Sequence, residues 1–276
     1  MYTHVIYHKA CADGFGSAYC AHRKLGNNSK YIPLAYYDII PKIRNSNILV
    51  CDFSFDYETT LKYINDNKLF FNIDHHKSAY ENLLKLDDKY KKFDMNHSGA
   101  YLTWEYFFPD ENVPLFIKLI EDYDLWKFNY EETKPFMLAL NEICFNFREW
   151  AKLENEDYVH LLIEKGKILQ QYQNNTIETM IKSVKIKKQT IGENEYNIGY
   201  CNTKLFKNEV ANKIVEDFIC DFGVTYNYDF KKNITKFSLR SKNSKTDVSE
   251  IAKAIGGGGH RNAAGYIRHG IHNSII

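Results

Sequence analysis

The stretch "FFNIDHHKSAY" (70–80) decides how the first half of the chain is read. An apolar run ends abruptly on a carboxylate, Asp74, and two imidazoles, His75 and His76 follow. A short apolar run bounded in this way reads as a buried strand. Working outward, "THVIYH" (3–8), "KYIPLAY" (30–36) and "NILVCD" (47–52) read as further strands, and "GFGSAYCAHRKL" (14–25) and "YETTLKYINDN" (57–67) as helices. Strands separated by helices of this length predict a parallel sheet with crossover helices. Beyond it, "NHSGAYLTWEYFF" starts a helix with Ser98 as N-cap, and "VPLFIKLIEDYDLW" supplies another.

From Glu154 the pattern becomes one long polar helix, apolar on one side only, and it reads as a connector over 154–184. After it the pattern restarts. "VKIKKQTI" and "EYNIGYC" read as strands, "KNEVANKIVEDF" as a helix, and "FGVTYNYDF" and "NITKFSLRS" as paired strands. A short helix "VSEIAKAI", the run "GGGGHRNAAG" (256–265) and a closing strand complete it. The expected architecture is α/β: a parallel-sheet domain over 1–153, the connector, and a smaller α/β domain over 185–276.

The 276 residues are 44% hydrophobic, with 21 Tyr and 18 Phe, enough for aromatic-rich cores. Thirty-six basic and 35 acidic residues leave a formal charge of +1, a poor footprint for gripping long duplex nucleic acid. A small anionic substrate or the end of a short strand fits better, because local fields differ from the net. The six cysteines include no Cys-x-x-Cys pair, the amino terminus has no signal-peptide pattern, and no apolar run approaches membrane length. Free thiols in a reducing cytoplasm are the expectation.

In an open parallel sheet, ligands bind where the carboxyl ends of strands gather. Collected on that rule, the first strand offers His8 and, a little later, Asp13. The third offers Asp52, the fourth Asp74, His75 and His76, and a later helix end Asp122 and Asp124. Taken singly, Asp52 reads as a helix cap and His8 as a surface or core histidine. Together they form a carboxylate–imidazole set suited to Mn²⁺, Mg²⁺ or similar ions, since so many negative groups repel unless cations sit among them. "GGGGHRNAAG" reads either as a flexible turn or as a place where backbone N–H groups and His260, Arg261 and Asn262 approach an anion.

"HKACADGFGSA", "CDFSFD", "IDHHKS", "IEDYD" and "GGGGHRNAAG", in that order, resemble the DHH phosphoesterase family. The resemblance spans nearly the whole chain. It implies a metal-binding catalytic domain followed by a substrate-binding domain. It also implies two Mn²⁺ ions per chain, with Mg²⁺ or Co²⁺ as substitutes. Asp13 matches a metal ligand, Asp52 the carboxylate that bridges the metals, His75 a metal-binding imidazole and His76 a contact to substrate phosphate. Asp74 matches a residue supporting its neighbours. The fourth carboxylate aligns with Asp122, with Asp124 second. Where the family carries its first Asp this chain has Cys11, so His8 is the expected ligand there and Cys11 the alternative. Arg240, with Gly257, Gly258, Gly259, His260, Arg261 and Asn262, matches the substrate clamp.

Two cations ~4 Å apart can share a water and offset charge on both attacking and leaving oxygens, which an already anionic phosphodiester requires. The expected activity is a phosphodiesterase releasing mononucleotides from short single-stranded RNA or DNA oligonucleotides, down to dinucleotides. Cyclic dinucleotides and 3′-phosphoadenosine-type esters are the alternative substrates. A binding module with a decayed metal site is the alternative outside catalysis, and a homodimer stays open.

Overall fold

A computed structural model describes residues 1–36, 38–242 and 246–276. The chain divides into two compact units, Met1–Gln170 and Gln171–Ile276.

The first unit is built on strands β1 (His4–His8), β2 (Lys30–Leu34), β3 (Asn47–Cys51), β4 (Leu69–Asp74) and β5 (Lys91–Phe93). They form one sheet in the order β2-β1-β3-β4-β5, and every pairing is parallel. Between and after them come α1 (Ala12–Leu25), α2 (Tyr57–Asp66), α3 (Tyr80–Leu84), α4 (Gly99–Phe107), α5 (Leu115–Asp124), α6 (Thr133–Leu140) and α7 (Phe147–Trp150). The expected parallel sheet is therefore present. β5 is an addition, three half-buried residues without periodicity.

The central strands carry near-continuous apolar runs because both faces are covered. Val5, Leu49 and Ile73 pack with Ala21 and Leu25 of α1 and Leu102 of α4. Their neighbours Ile6, Ile48, Val50 and Phe70 face the other way, toward Tyr63 of α2. A helical layer around Trp150, Phe116 and Phe136 completes the core. Cys11 and Asp56 cap α1 and α2, and Ser98 caps α4 as expected, accepting from Tyr101 N at 3.3 Å.

Helix α8 (Glu156–Ile181) runs out of the first unit into the second. The second unit then holds β6 (Lys185–Ile191), β7 (Asn194–Asn202), α9 (Lys207–Asp217), β8 (Phe222–Asp229), β9 (Ile234–Arg240), α10 (Val248–Ala254), β10 (Gly258–His260) and β11 (Ala263–His269). Its mixed sheet runs β10-β11-β9-β8-β7-β6. The glycine run is not an open loop: Gly258–His260 pairs antiparallel with Ala263–Gly265 across a turn at Arg261 and Asn262. No helix among the described residues is long and apolar enough to cross a membrane.

Candidate metal centre

The carboxyl ends of β1, β3 and β4 lie side by side in the sheet, and their side chains converge. Asp52 follows β3 with φ 52°, a left-handed conformation that Asp tolerates better than most residues. That turn delivers a carboxylate 1% exposed to the middle of the group. His75 Nε2 lies 3.1 Å from Asp52 Oδ1, 3.6 Å from Asp13 Oδ2 and 3.5 Å from Asp124 Oδ2. On the other side of Asp52, Cys11 Sγ is 3.5 Å from Asp52 Oδ2 and 3.4 Å from His8 Nδ1, and His8 Nδ1 is 3.5 Å from the same oxygen. Asp52 thus belongs both to a His8–Cys11–Asp52 group and to an Asp52–Asp74–His75–His76 group, while Asp13, His75 and Asp124 form a third.

Each ligand candidate is held from behind. Asp13 sits in the first turn of α1 and accepts from Gly99 N at 2.7 Å and Ala100 N at 3.0 Å, the amino end of α4. Asp74 accepts from the backbone N–H of His75 and His76 and, at 2.7 Å, pairs with His76 Nδ1. Its other oxygen takes the Ser54 hydroxyl. Asp74 therefore orients both histidines, and His76 is left with Nε2 as its outward nitrogen.

The electrostatics ask for cations. Burial alone would raise Asp52, but hydrogen bonds from His75 and His8 outweigh it and hold the carboxyl below the usual range. Asp13 goes the other way, raised by burial and then by the nearby charges of Asp52 and Asp124. Burial disfavours a charged His75, yet the bond to Asp52 and the surrounding carboxylates outweigh it and raise the ring to about 9. Among the described residues no Lys or Arg forms an ion pair with Asp13, Asp52, Asp74 or Asp124; their only cationic partners are histidines. Carboxylate, imidazole and one thiol suit a divalent ion of borderline hardness.

Two positions differ from the sequence expectation. Asp124, second choice by alignment, reaches His75, whereas Asp122 does not join the group. Residues two apart on a helix point nearly opposite ways. Asp122 faces the loop after α5, accepting from Asn129 N at 2.8 Å, Tyr130 N at 3.3 Å and Thr133 Oγ1 at 2.5 Å. At the first motif, His8 and Cys11 are both at hand, so neither replaces the other. Cys11 also accepts from Gly14 N at 3.1 Å, which makes it the cap of α1. Burial and then the charges of Asp52 and Asp13 push its thiol up.

In the second unit the expected clamp residues lie close together by register. Arg240 is paired with Ala263, which in turn faces His260 across the glycine hairpin. The half-buried Arg240 guanidinium donates to Leu239 O at 2.8 Å and Asn208 Oδ1 at 2.6 Å, and burial lowers its pKa. His260, Arg261 and Asn262 are exposed; Arg261 Nη1 is 3.6 Å from Asp247 Oδ2, and Asn262 Oδ1 accepts from Ser241. Gly257 and Gly259 are required by packing, since a Cβ would lie 2.3 Å from Gly265 O and 2.5 Å from Ala263 O, whereas Gly258 faces open space.

Sequence reading missed Ser54, which holds Asp74, and the aromatic pair Tyr36 and Phe53 beside His8. The position of Ser54, two residues past Asp52, was the available signal. Nothing in the sequence marked Tyr36.

A parallel α/β sheet with an Asp/His cluster at its carboxyl edge is an arrangement that could hold divalent cations. No family model matches the chain. Over 97% of its length the chain is 34% identical to Uncharacterized protein R106 of Acanthamoeba polyphaga mimivirus, covering 68% of that protein. Over 57% of its length it is 24% identical to oligoribonuclease NrnB of Bacillus subtilis, covering 40% of that protein. Its fold is that of the pGpG-specific phosphodiesterase PggH of Vibrio cholerae, with TM-score 0.62, 13% identity, and coverage of 98% of this chain and 94% of that one. In its ordered motifs and its fold the chain resembles the DHH phosphoesterases.

Proposed function

We propose that the protein is a Mn²⁺-dependent phosphodiesterase that hydrolyses short single-stranded oligonucleotides to mononucleotides. One observation carries this reading: four carboxylates converge with three imidazoles, and no Lys or Arg pairs with those carboxylates among the described residues. His8, Cys11 and Asp52 would hold one ion, and Asp13, Asp52, His75 and Asp124 a second. Bound there, the ions would activate water at neutral pH and offset charge on the phosphate.

The remaining roles belong to the chain's own groups. Burial disfavours a charged His76, but the Nδ1 bond to Asp74 outweighs it and raises the ring's pKa, so the imidazolium form would present a proton on Nε2 to a phosphate or leaving oxygen. Ser54 and the two backbone N–H groups keep Asp74 in place while it does so. We assign the first unit to catalysis and the second to substrate binding. There Arg240 forms no ion pair among the described residues, and His260, Arg261, Asn262 and the backbone of Gly257, Gly258 and Gly259 complete a set of donors for phosphate. The names of NrnB and PggH, an oligoribonuclease and a phosphodiesterase of a linear dinucleotide, support short substrates. The near-zero net charge does so too.

The test is incubation of the purified chain with end-labelled oligomers of two to five nucleotides and Mn²⁺, beside Asp74→Asn/His75→Ala. Mononucleotide release by wild type alone is expected. Equal cleavage by the double variant, or none by wild type, would refute the proposal.

A further inference from the structure

Next to the metal centre, at the carboxyl ends of β2 and β3, lies a cavity of about 280 Å³. That is near the lower end of the range for small-molecule sites, ~300 Å³. Two of its walls are shared with the centre. Tyr36 meets the His8 ring edge-on at 5.7 Å and packs on Phe53 at 4.8 Å. Ser54, another lining residue, donates to Asp74. Whatever fills the cavity therefore sits within one residue's width of the reacting groups.

The lining says what would fill it. Phe53 is buried, while Tyr36 is 49% exposed, so the tyrosine presents a free aromatic face rather than core. The polar wall carries two carboxylates, Asp38 and Asp56, the hydroxyls of Ser54 and Ser78, and the Asn82 amide. Asp38 is paired with Lys9 at 3.2 Å, and Asp56 caps α2 through Thr59 N at 2.8 Å. Two carboxylates and no unpaired cation repel a phosphate but welcome N–H donors. Asn82 also lines the cavity, and its side-chain amide makes no hydrogen bond among the described residues. An amide of this kind pairs with a base edge, most familiarly that of adenine.

We propose that this cavity is a nucleobase subsite for a base bearing an exocyclic amino group, stacked on Tyr36 and read by Asn82. The inference rests on the nucleotide-substrate reading above and deepens it. It gives the protein a preference among bases that the metal centre cannot supply. Uracil, with carbonyl oxygens where adenine and cytosine carry amino groups, meets the acidic wall unfavourably.

The experiment is calorimetric titration of the full chain, in one Mn²⁺ buffer, with adenosine 5′-monophosphate, uridine 5′-monophosphate and ribose 5-phosphate. All three share the phosphate, so differences report the base. Wild type should bind the adenosine compound roughly 5- to 150-fold tighter than ribose 5-phosphate, the worth of one stacked base. Tyr36→Ala should erase most of that ratio and Tyr36→Phe keep it. Asn82→Ala should collapse the preference for adenosine over uridine. Melting curves check each variant's fold, and Asn82→Ala and Tyr36→Phe decide the matter if Tyr36→Ala does not fold. Equal affinity of wild type for the three ligands, no binding of any, or a preference untouched by Asn82→Ala would overturn the subsite. Oligomer hydrolysis is scored separately. Base-selective binding without hydrolysis sinks the hydrolase reading alone, and hydrolysis indifferent to the base sinks the subsite alone.

Discussion

Gly99 opens α4 directly against the centre, which makes Gly99→Ala a sharp probe of how tightly the site is held. A Cβ at this position would lie 2.5 Å from Asp52 Cβ, 2.8 Å from Asp52 Oδ1 and 2.9 Å from Asp52 Cγ. Carbon atoms pack best at about 3.5–4.0 Å, so roughly 1 Å of movement is needed. Asp52 cannot readily supply it, being 1% exposed, left-handed at φ 52° and hydrogen-bonded to His75. Helix α4 is tied as well, through Gly99 N and Ala100 N to Asp13. Either retreat therefore displaces a candidate metal ligand. Overpacking of this size costs about 1–3 kcal/mol, a fall in Tm of about 2–4 °C per kcal/mol for a chain this long. A 1 Å misplacement of reacting groups costs on the order of 100-fold in turnover. Thermal melts, Mn²⁺ titration and oligomer hydrolysis measure the three effects. Gly265→Ala, whose Cβ would come no nearer than 3.6 Å to Phe237 O, is the control expected to change little. Wild-type melting together with wild-type Mn²⁺ affinity in Gly99→Ala would refute the reasoning.

Asp122→Ala should cost about 1–3 kcal/mol for each of its donors left dry, with Mn²⁺ affinity retained; Asp124→Ala should lose Mn²⁺ affinity and hold its Tm. Denaturation and metal titration of both would show the assignment wrong if the pattern came out reversed. Gly166→Ala sets two effects against each other in α8. Helix propensity favours alanine by about 1 kcal/mol, but the new Cβ would meet Pro135 O at 1.8 Å, so a lower Tm is expected and a higher one would count against the packing. Asp56 caps α2, with its carboxyl held below the usual range first by Thr59 N–H. Because the folded pKa is depressed, the stabilisation is present above the unfolded value, near pH 4, and is lost as pH falls through the folded one. Asp56→Ala should thus cost about 0.5–2 kcal/mol at neutral pH and progressively less in acid, which urea melts at several pH values would check.

The strands of the first sheet could be read from sequence because burial on both faces leaves runs of Val, Ile, Leu and Phe that periodicity alone detects. Three-residue β5 offered no such run. In the site, Asp13, Asp52 and His75 were legible because strand ends in a parallel sheet must meet. The choice between Asp122 and Asp124 was not, since it depends on which way a helix end turns and on the N–H groups of residues 129 and 130 needing an acceptor. The glycine run concealed a hairpin for a related reason: its partner strand, Ala263–Gly265, is itself small and weakly patterned.

Part of the site lies where backbone departs from ordinary preference. Asp52, Trp126 and Phe128 are all left-handed, and all lie within four residues of a carboxylate of the centre or are that carboxylate. Such conformations cost about 1–2 kcal/mol each and persist only where surroundings fix them. At Asp52 the surroundings are His75, His8, Cys11 and the amino end of α4, so the groups that would hold the ions also hold the strain. Asp tolerates the left-handed turn at position 52 better than most residues, and the turn carries its carboxylate into the middle of the Asp/His group, so the strained backbone and the candidate ligands coincide there.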